Sequence, residues 1–358
     1  MNFDFNDEQR AIKEAAREML SSRYPLAEVR RLAEDERGFT DEQWAQLTEL
    51  GWPGIFVPER LGGQGLGIVE LVILQEELGY ALAPTPFFSN LCAGLVLQGA
   101  GEEEQQERWL RPLAAGERRG TLAVQDEDGG EWLQGTSLVA EDSKLSGTKV
   151  AVPDAESADF IIVAARGRPH LVEAGAEGLT ITPTPGIDPT RKLYSVRLDG
   201  VEAQPLSSEG PELQRARDAI PTALAAESTG VAQRAMEMAV EYAKERKQFD
   251  RPIGSYQAVS HRCADMLLEV EGARSTTYYA AWALDHEPET APLAASMAKA
   301  YASEAGWRVT ASSLQVHGGI GFTWEHDLHF FLKRAKANAH AFGDSRTHRA
   351  RVAELVGL

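Results

Sequence analysis

Three cations, an amide and an aromatic ring crowd the stretch ERKQFDRPIG, residues Glu245–Gly254. Arg246 offers a planar fork of donors that suits a phosphate or a carboxylate. Gln248 and Phe249 supply an amide for the edge of a flat group and a ring for its face. Pro252 and Gly254 tighten the turn, and the next helix is expected near Ser255, where free backbone amides favour an anion. The plainer reading of the same residues is a solvated loop between two helices. A second stretch is LQVHGGIGFTWEHDLHFFLKRAKA, Leu314–Ala337. Gln315 and His317 stand just before Gly318, Gly319 and Gly321, which interrupt a strong helical pattern. Glycine there allows positive φ and close approach of a ligand to the backbone. Its plainer reading is a helix end followed by a turn.

Both stretches need helices to present them, and the pattern supplies those helices. Asn6 with Gln9, and Thr40 with Gln43, have the spacing of capping boxes. Ile12, Ala15, Ala16 and Met19 share one helical face. The Gly/Pro-rich connector Gly51–Gly67 precedes an apolar helix over Ile68–Leu82, which APTPF (Ala83–Phe87) ends. A further helix is expected near Glu102–Leu113. From about Gly120 the pattern changes to short β-rich runs split by turn residues, a β domain of roughly 90 residues. Helical periodicity returns after Pro211. Leu224, Val231, Ala235, Met238 and Tyr242 fit one face; Val259, Cys263, Met266 and Val270 fit another. Two more helices are expected over Ala291–Gly318 and His326–Ala341. The order predicts a mostly α protein with a middle β domain: an N-terminal helical domain (1–118), a central β-barrel or sheet domain (119–210) and a C-terminal four-helix bundle (211–358).

Composition narrows the function classes. With 358 residues, 43% of them hydrophobic, the chain can bury a large core. The formal net charge of -18 argues against a nucleic-acid partner, though not against an anionic small ligand held by a local cation. Two cysteines, Cys92 and Cys263, show no disulfide or metal-ligand spacing, and are expected as buried thiols. No metal site is expected. The N-terminus lacks the basic and apolar regions of a signal peptide. No apolar run approaches the roughly 18 residues of a membrane span, so a cytoplasmic protein without membrane contact is expected.

Taken together, these segments resemble the acyl-CoA dehydrogenase family over essentially the whole chain. FNDEQRAIKEAAREML resembles its opening helix. LGWPGIFVPERLGGQGLGIVELVILQEELGYALAPTPF resembles a first-domain segment. AVEYAKERKQFDRPIGSYQAVSHRCADM and LQVHGGIGFTWEHDLHFFLKRAK match the Arg-x-x-Phe and Gln-x-x-Gly-Gly-x-Gly signatures. The resemblance implies FAD shared across a dimer interface. Arg246, Gln248, Phe249 and Gln257 would contact FAD belonging to a neighbouring subunit, and Gln315, Gly318 and Gly319 would receive its adenosine diphosphate end. It also implies an acyl-CoA substrate, α,β-desaturation and electron transfer to an electron-transfer flavoprotein.

The same resemblance exposes departures. Relatives often carry the α-proton base as Glu in a YEGT-like motif. In HAFGDSRTHRARVAEL, Phe342 takes the Tyr place, Gly343 the Glu place and Ser345, a candidate flavin contact, the Thr place. The alternative position of the base on the first bundle helix falls on Ile220. Two substitutes remain. Asp344 is one residue from the C-terminal site, where a loop shift would bring it in; otherwise it is a cap. Glu227 lies in an apolar helical stretch where desolvation would raise its pKa; otherwise it is a buried, paired carboxylate. In the β domain, AVQDEDGGEW replaces the Thr-Glu-Pro-like flavin loop, and Ala151, Val152 and Pro153 replace a Trp-Ile-Thr-like strand. The reactive-ring half-site looks degraded while the dinucleotide half-site looks intact. That pattern resembles the second subunit of heteromeric α2β2 bacterial enzymes, several of them linked to steroid or other bulky CoA thioesters. A divergent homo-oligomer, a flavin oxidase or monooxygenase of the same fold, and a non-catalytic partner subunit stand as alternatives.

Overall fold

A computed structural model describes residues 5–129, 135–208 and 210–358. Its first helices are α1 (Asp7–Arg23), α2 (Leu26–Glu34), α3 (Asp41–Glu49), α4 (Ile68–Ala81) and α5 (Phe87–Ala100). Next come the short pieces α6 (Glu103–Gln105) and α7 (Arg111–Ala114). The long helices are α8 (Pro211–Glu245), α9 (Gln257–His286), α10 (Ala291–His317) and α11 (Leu328–His340), followed by α12 (Ser345–Leu355). Both anticipated capping boxes form: Asn6 and Gln9 cap α1, and Thr40 and Gln43 cap α3. The single helix expected near Glu102–Leu113 is instead split by a π turn at Gln106–Leu110. Pro112 explains the break, because its ring and missing N–H oppose an α-helical bond to the preceding turn.

The chain separates into two compact units. One gathers residues 1–31, 68–83 and 221–358; the other gathers 32–67 and 84–220. In the first, α4 packs on α8 at two bare points. A Cβ on Gly79 would overlap the Glu227 carbonyl, and one on Gly230 would overlap the Glu76 carbonyl. The absence of both side chains lets the two backbones touch. Asp285, near the end of α9, accepts hydrogen bonds from the first amides of α4 at Ile68 (2.9 Å) and Val69 (3.1 Å). Ala232, Ala239, Ala243, Met266, Val270, Val309 and Val316 form a core joining α8, α9 and α10. Cys92 is buried as expected, whereas Cys263 is only half-buried; it packs at the margin of this core rather than inside it.

The second unit holds the β structure. Strands β1 (Gly120–Ala123), β5 (Phe160–Ala165), β6 (Arg168–Glu173) and β9 (Gln204–Pro205) form one sheet, with β1 parallel to β5. The other sheet orders β2 (Gln125–Asp126), β4 (Lys144–Pro153), β8 (Leu193–Glu202) and β7 (Leu179–Thr184), with β3 (Ala140–Glu141) paired to β4. Both sheets contribute to one apolar core, including Ile161, Val163 and Val172 from the first and Leu145, Val152 and Val196 from the second. The remaining short strands, β10 (Lys247–Gln248) and β11 (Arg251–Pro252), lie in the helical unit.

Candidate functional site: two turns at one end of the helical unit

α8 stops at Glu245, and the chain folds back at once. Strands β10 and β11 pair antiparallel, with Gln248 opposite Arg251. The two residues between them, Phe249 and Asp250, have φ of 52° and 65°. Both signs are those of a type I′ hairpin turn, normally filled by Asn or Gly. A phenylalanine in that region is unfavourable, and such strain clusters at functional sites. The hairpin is anchored from below. The Ile253 amide donates to the Arg246 carbonyl (2.8 Å), the Tyr256 hydroxyl donates to the Gln248 carbonyl (3.1 Å), and the Arg251 guanidinium lies 3.9 Å over the Tyr256 ring. Residues Ile253–Ser255 form a 3-10 turn, so α9 begins at Gln257, two residues beyond the expected start at Ser255. Arg246, Gln248, Phe249 and Gln257 are all exposed, Phe249 at 89%. The Arg246 side chain has no hydrogen bond or ion pair among the described residues.

The second turn lies where α10 ends. Gly318 adopts φ 62° and ψ -139°, a conformation open to glycine alone. A Cβ at Gly318 or Gly319 would meet nothing within 4 Å, so both backbones face open space. Gln315 is exposed one turn earlier. The link between the turns is a pair the sequence reading did not foresee. Tyr242, four residues before Arg246, stacks on His317, two residues after Gln315, with ring centroids 4.6 Å apart and planes 24° apart. His317 Nδ1 lies 2.8 Å from the Ser313 carbonyl, so that nitrogen carries the proton. Burial holds the pKa of His317 below the usual histidine value, and nearby His326 adds to the effect. Phe322 and Trp324, beyond the glycines, are exposed at 73% and 68%.

The carboxylates read as possible bases are both engaged. Glu227 is buried on α8; Arg334 of α11 donates to it at 2.5 Å and the Asn338 amide at 3.2 Å. Arg334 is itself 2% exposed, so this is a desolvated pair. Asp344 is the N-cap of α12 and accepts from the Thr347 amide at 2.8 Å. That backbone hydrogen bond holds its carboxyl below the ordinary aspartate range. Ser345, the first residue of α12, sets its hydroxyl against the Glu304 carboxylate. Ile220 is fully buried.

In the β unit, the strand that would shelve a flat ring is irregular. Ala151 has φ 53° at a register shift between Lys149 and Val152 of β4. Thr121 donates its hydroxyl to the Pro153 carbonyl at 2.6 Å. Neither an aromatic nor a hydroxyl side chain occupies positions 151–153. Of the loop AVQDEDGGEW, Gly130, Glu131 and Trp132 lie outside the described residues. Within its described part, Asp126 takes a 2.5 Å bond from the fully buried Lys149, which also donates to Thr136 and the Val124 carbonyl. Burial lowers the Lys149 pKa against the opposing pull of Asp126. A lysine at the head of the apolar run KVAV (Lys149–Val152) was the available signal for this site.

Comparison with known proteins adds an independent line. The profile "Acyl-CoA dehydrogenase, N-terminal domain" matches residues 6–117, and "Acyl-CoA dehydrogenase, C-terminal domain" matches residues 221–357. "Acyl-CoA dehydrogenase IpdE2" of Mycobacterium tuberculosis is 33% identical over 342 residues, covering 95% of this chain and 94% of that protein. The ChsE4-ChsE5 complex from Mycobacterium tuberculosis superposes with a TM-score of 0.90 at 29% identity, over 100% of both chains. The Tcur3481-Tcur3483 steroid ACAD gives 0.90 at 31% identity, over 98% of both chains.

Proposed function

The chain belongs to the acyl-CoA dehydrogenase family, and from that premise we propose that it is the FAD-site-completing subunit of a heteromeric enzyme. The activity is FAD-dependent oxidation of an acyl-CoA thioester, with an electron-transfer flavoprotein as electron acceptor. When bound, FAD supplies the hydride acceptor for α,β-desaturation.

The residues of the two turns fit a dinucleotide. Arg246 presents a guanidinium with no partner among the described residues, matched to a pyrophosphate. Gln248 and Gln257 offer exposed amides, and Phe249 an exposed ring. Gln315, Gly318 and Gly319 leave open backbone for an adenosine diphosphate end. In this reading the FAD gripped by these residues belongs to the partner chain, and Ser345, held against Glu304, serves the fold.

One asymmetry supports this reading above the rest. The dinucleotide turns are formed and exposed, while positions 151–153 of the β unit offer neither the stacking ring nor the hydroxyl that the reactive end would use. Glu227 is spent on Arg334 and Asp344 on a helix cap, so the proposal leaves α-proton abstraction to the partner subunit. The boundaries 1–118, 119–210 and 211–358, a cytoplasmic location and a bulky, steroid-type acyl group belong to the same proposal. The last rests on the likeness to the Tcur3481-Tcur3483 steroid ACAD.

Co-expression with a homologous acyl-CoA dehydrogenase subunit tests it. The expected product is a mixed oligomer that holds flavin and oxidises CoA thioesters, with bulky acyl groups preferred. A chain that purifies alone as a yellow, fully active homo-oligomer would overturn the subunit assignment.

A further inference from the structure

The turn between α11 and α12 is fastened from three directions. Lys299 is fully buried on α10, and its Nζ donates to the Gly343 carbonyl (2.9 Å), the Asn338 carbonyl (3.0 Å) and the Ser303 hydroxyl (3.0 Å). His348 of α12 sets Nε2 2.9 Å from the Phe342 carbonyl. Asp344 closes the turn by capping Thr347. The backbone is committed as well, with φ of 56° at Phe342 and 88° at Gly343. A Cβ at Gly343 would come within 3.0 Å of His348 Nε2, so the turn has little room for a side chain there.

A buried amine is an expensive way to fill helix-packing space. Its neighbours one turn to either side, Ala295 and Ala302, fill the same buried helix with methyl groups. Burial drags the Lys299 pKa down to about 7, a measure of that expense, with Asp344 pulling the other way. The bonds it makes are what an apolar residue would lose. They also end on residues next to both carboxylates discussed above. The Gly343 carbonyl adjoins Asp344, and Asn338, whose carbonyl Lys299 holds, sends its side-chain amide to Glu227.

We propose that Lys299 is a positioning residue that ties α10 to Asn338 and Gly343, keeps the 341–344 turn in one conformation, and so holds Asp344 as a cap rather than a mobile base. The meaning for catalysis rests on the functional reading above, in which position 343 lies where relatives carry their base. The fastening itself does not.

Amide hydrogen exchange on the purified full chain tests the fastening whether or not flavin is bound, so its failure is separable from failure of the functional reading. In Lys299→Met the Thr347 and His348 amides, both bonded to Asp344, should exchange about tenfold faster, as loss of a hydrogen bond implies. Amides of α9 should keep their wild-type protection. Lys299→Arg, which retains donors, should recover part of the loss. Unchanged Thr347 and His348 exchange, or equal loosening of α9, would overturn the proposal. Should Lys299→Met not fold, Lys299→Ala, which removes the donors and leaves room for water, serves: faster exchange confined to the same two amides supports the fastening, and wild-type exchange there refutes it.

Discussion

Tyr242 and His317 stack 4.6 Å apart, and this contact ties the end of α8 to the end of α10. Each ring stands within one helical turn of a residue proposed to bind the cofactor, Arg246 on one side and Gln315 on the other. The stack therefore fixes the spacing of two turns that lie about 70 residues apart in sequence.

Arg246→Ala should lower the flavin content of the assembled oligomer, because it removes a charge-assisted contact worth roughly 1.5–3 kcal/mol. Arg246→Lys should restore only part of it, since an ammonium lacks the two-pronged geometry. Absorbance at the flavin band per mole of oligomer measures both. Wild-type flavin in Arg246→Ala would end the dinucleotide assignment.

Gly318→Ala should destabilise the helical unit by about 1–3 kcal/mol, the usual cost of forcing a side chain into such a backbone. Gly319→Ala, with no positive φ and open space around it, should cost much less. Urea midpoints for the two variants give the comparison.

Glu227→Gln should cost about 3–5 kcal/mol, because it strands the buried Arg334 charge. Replacing both residues, Glu227→Leu with Arg334→Met, should be far milder than the sum of the single changes. A double-mutant cycle by urea unfolding checks this, and additive losses would mean the two groups do not act as a pair.

Asp344→Ala should cost about 0.5–2 kcal/mol through the lost cap, whereas Asp344→Ser keeps a capping oxygen and should stay near wild type. Serine has no basic carboxylate. A folded Asp344→Ser oligomer that has lost turnover would return Asp344 to the role of base.

Stability should fall as pH drops from about 6.5, the ordinary histidine value, toward 4. Burial lowers the pKa of His317, His326, His329 and His348, with His329 and His348 near 4. In that window the unfolded chain binds protons that the folded chain refuses, so acid favours unfolding. Both ring nitrogens of His329 are buried without a hydrogen-bond partner, beside Trp324 and Phe330. His329→Phe should therefore match or exceed wild type at neutral pH, and its advantage should grow as the pH falls. Parallel urea-stability curves from pH 7 to 4 would show that His329 does not titrate in this way.

Local rules carried the sequence reading furthest where the physics is local. The capping boxes at Asn6 and Thr40 depend on residues three apart and formed as expected. The π turn at Gln106–Leu110 is not legible in apolar spacing, because it follows from Pro112 rather than from the hydrophobic pattern. The positive φ at Phe249 and Asp250 had no Asn-Gly signal to announce it. Glu227 and Arg334 are 107 residues apart, and nothing in either neighbourhood names the other. Lys299 sits in an alanine-rich helix, where a lone lysine at a buried spacing was a signal left unread.

The bare contacts of Gly79 on Glu227 and of Gly230 on Glu76 have a mechanical consequence. With backbone resting on backbone, α4 has no cushion of side chains on which to slide along α8. A shift of one residue would drive Leu78 or Tyr80 into the space that only a hydrogen atom fills. The crossing therefore acts as a rivet, and whatever breathing this part of the helical unit undergoes must be sought in its loops.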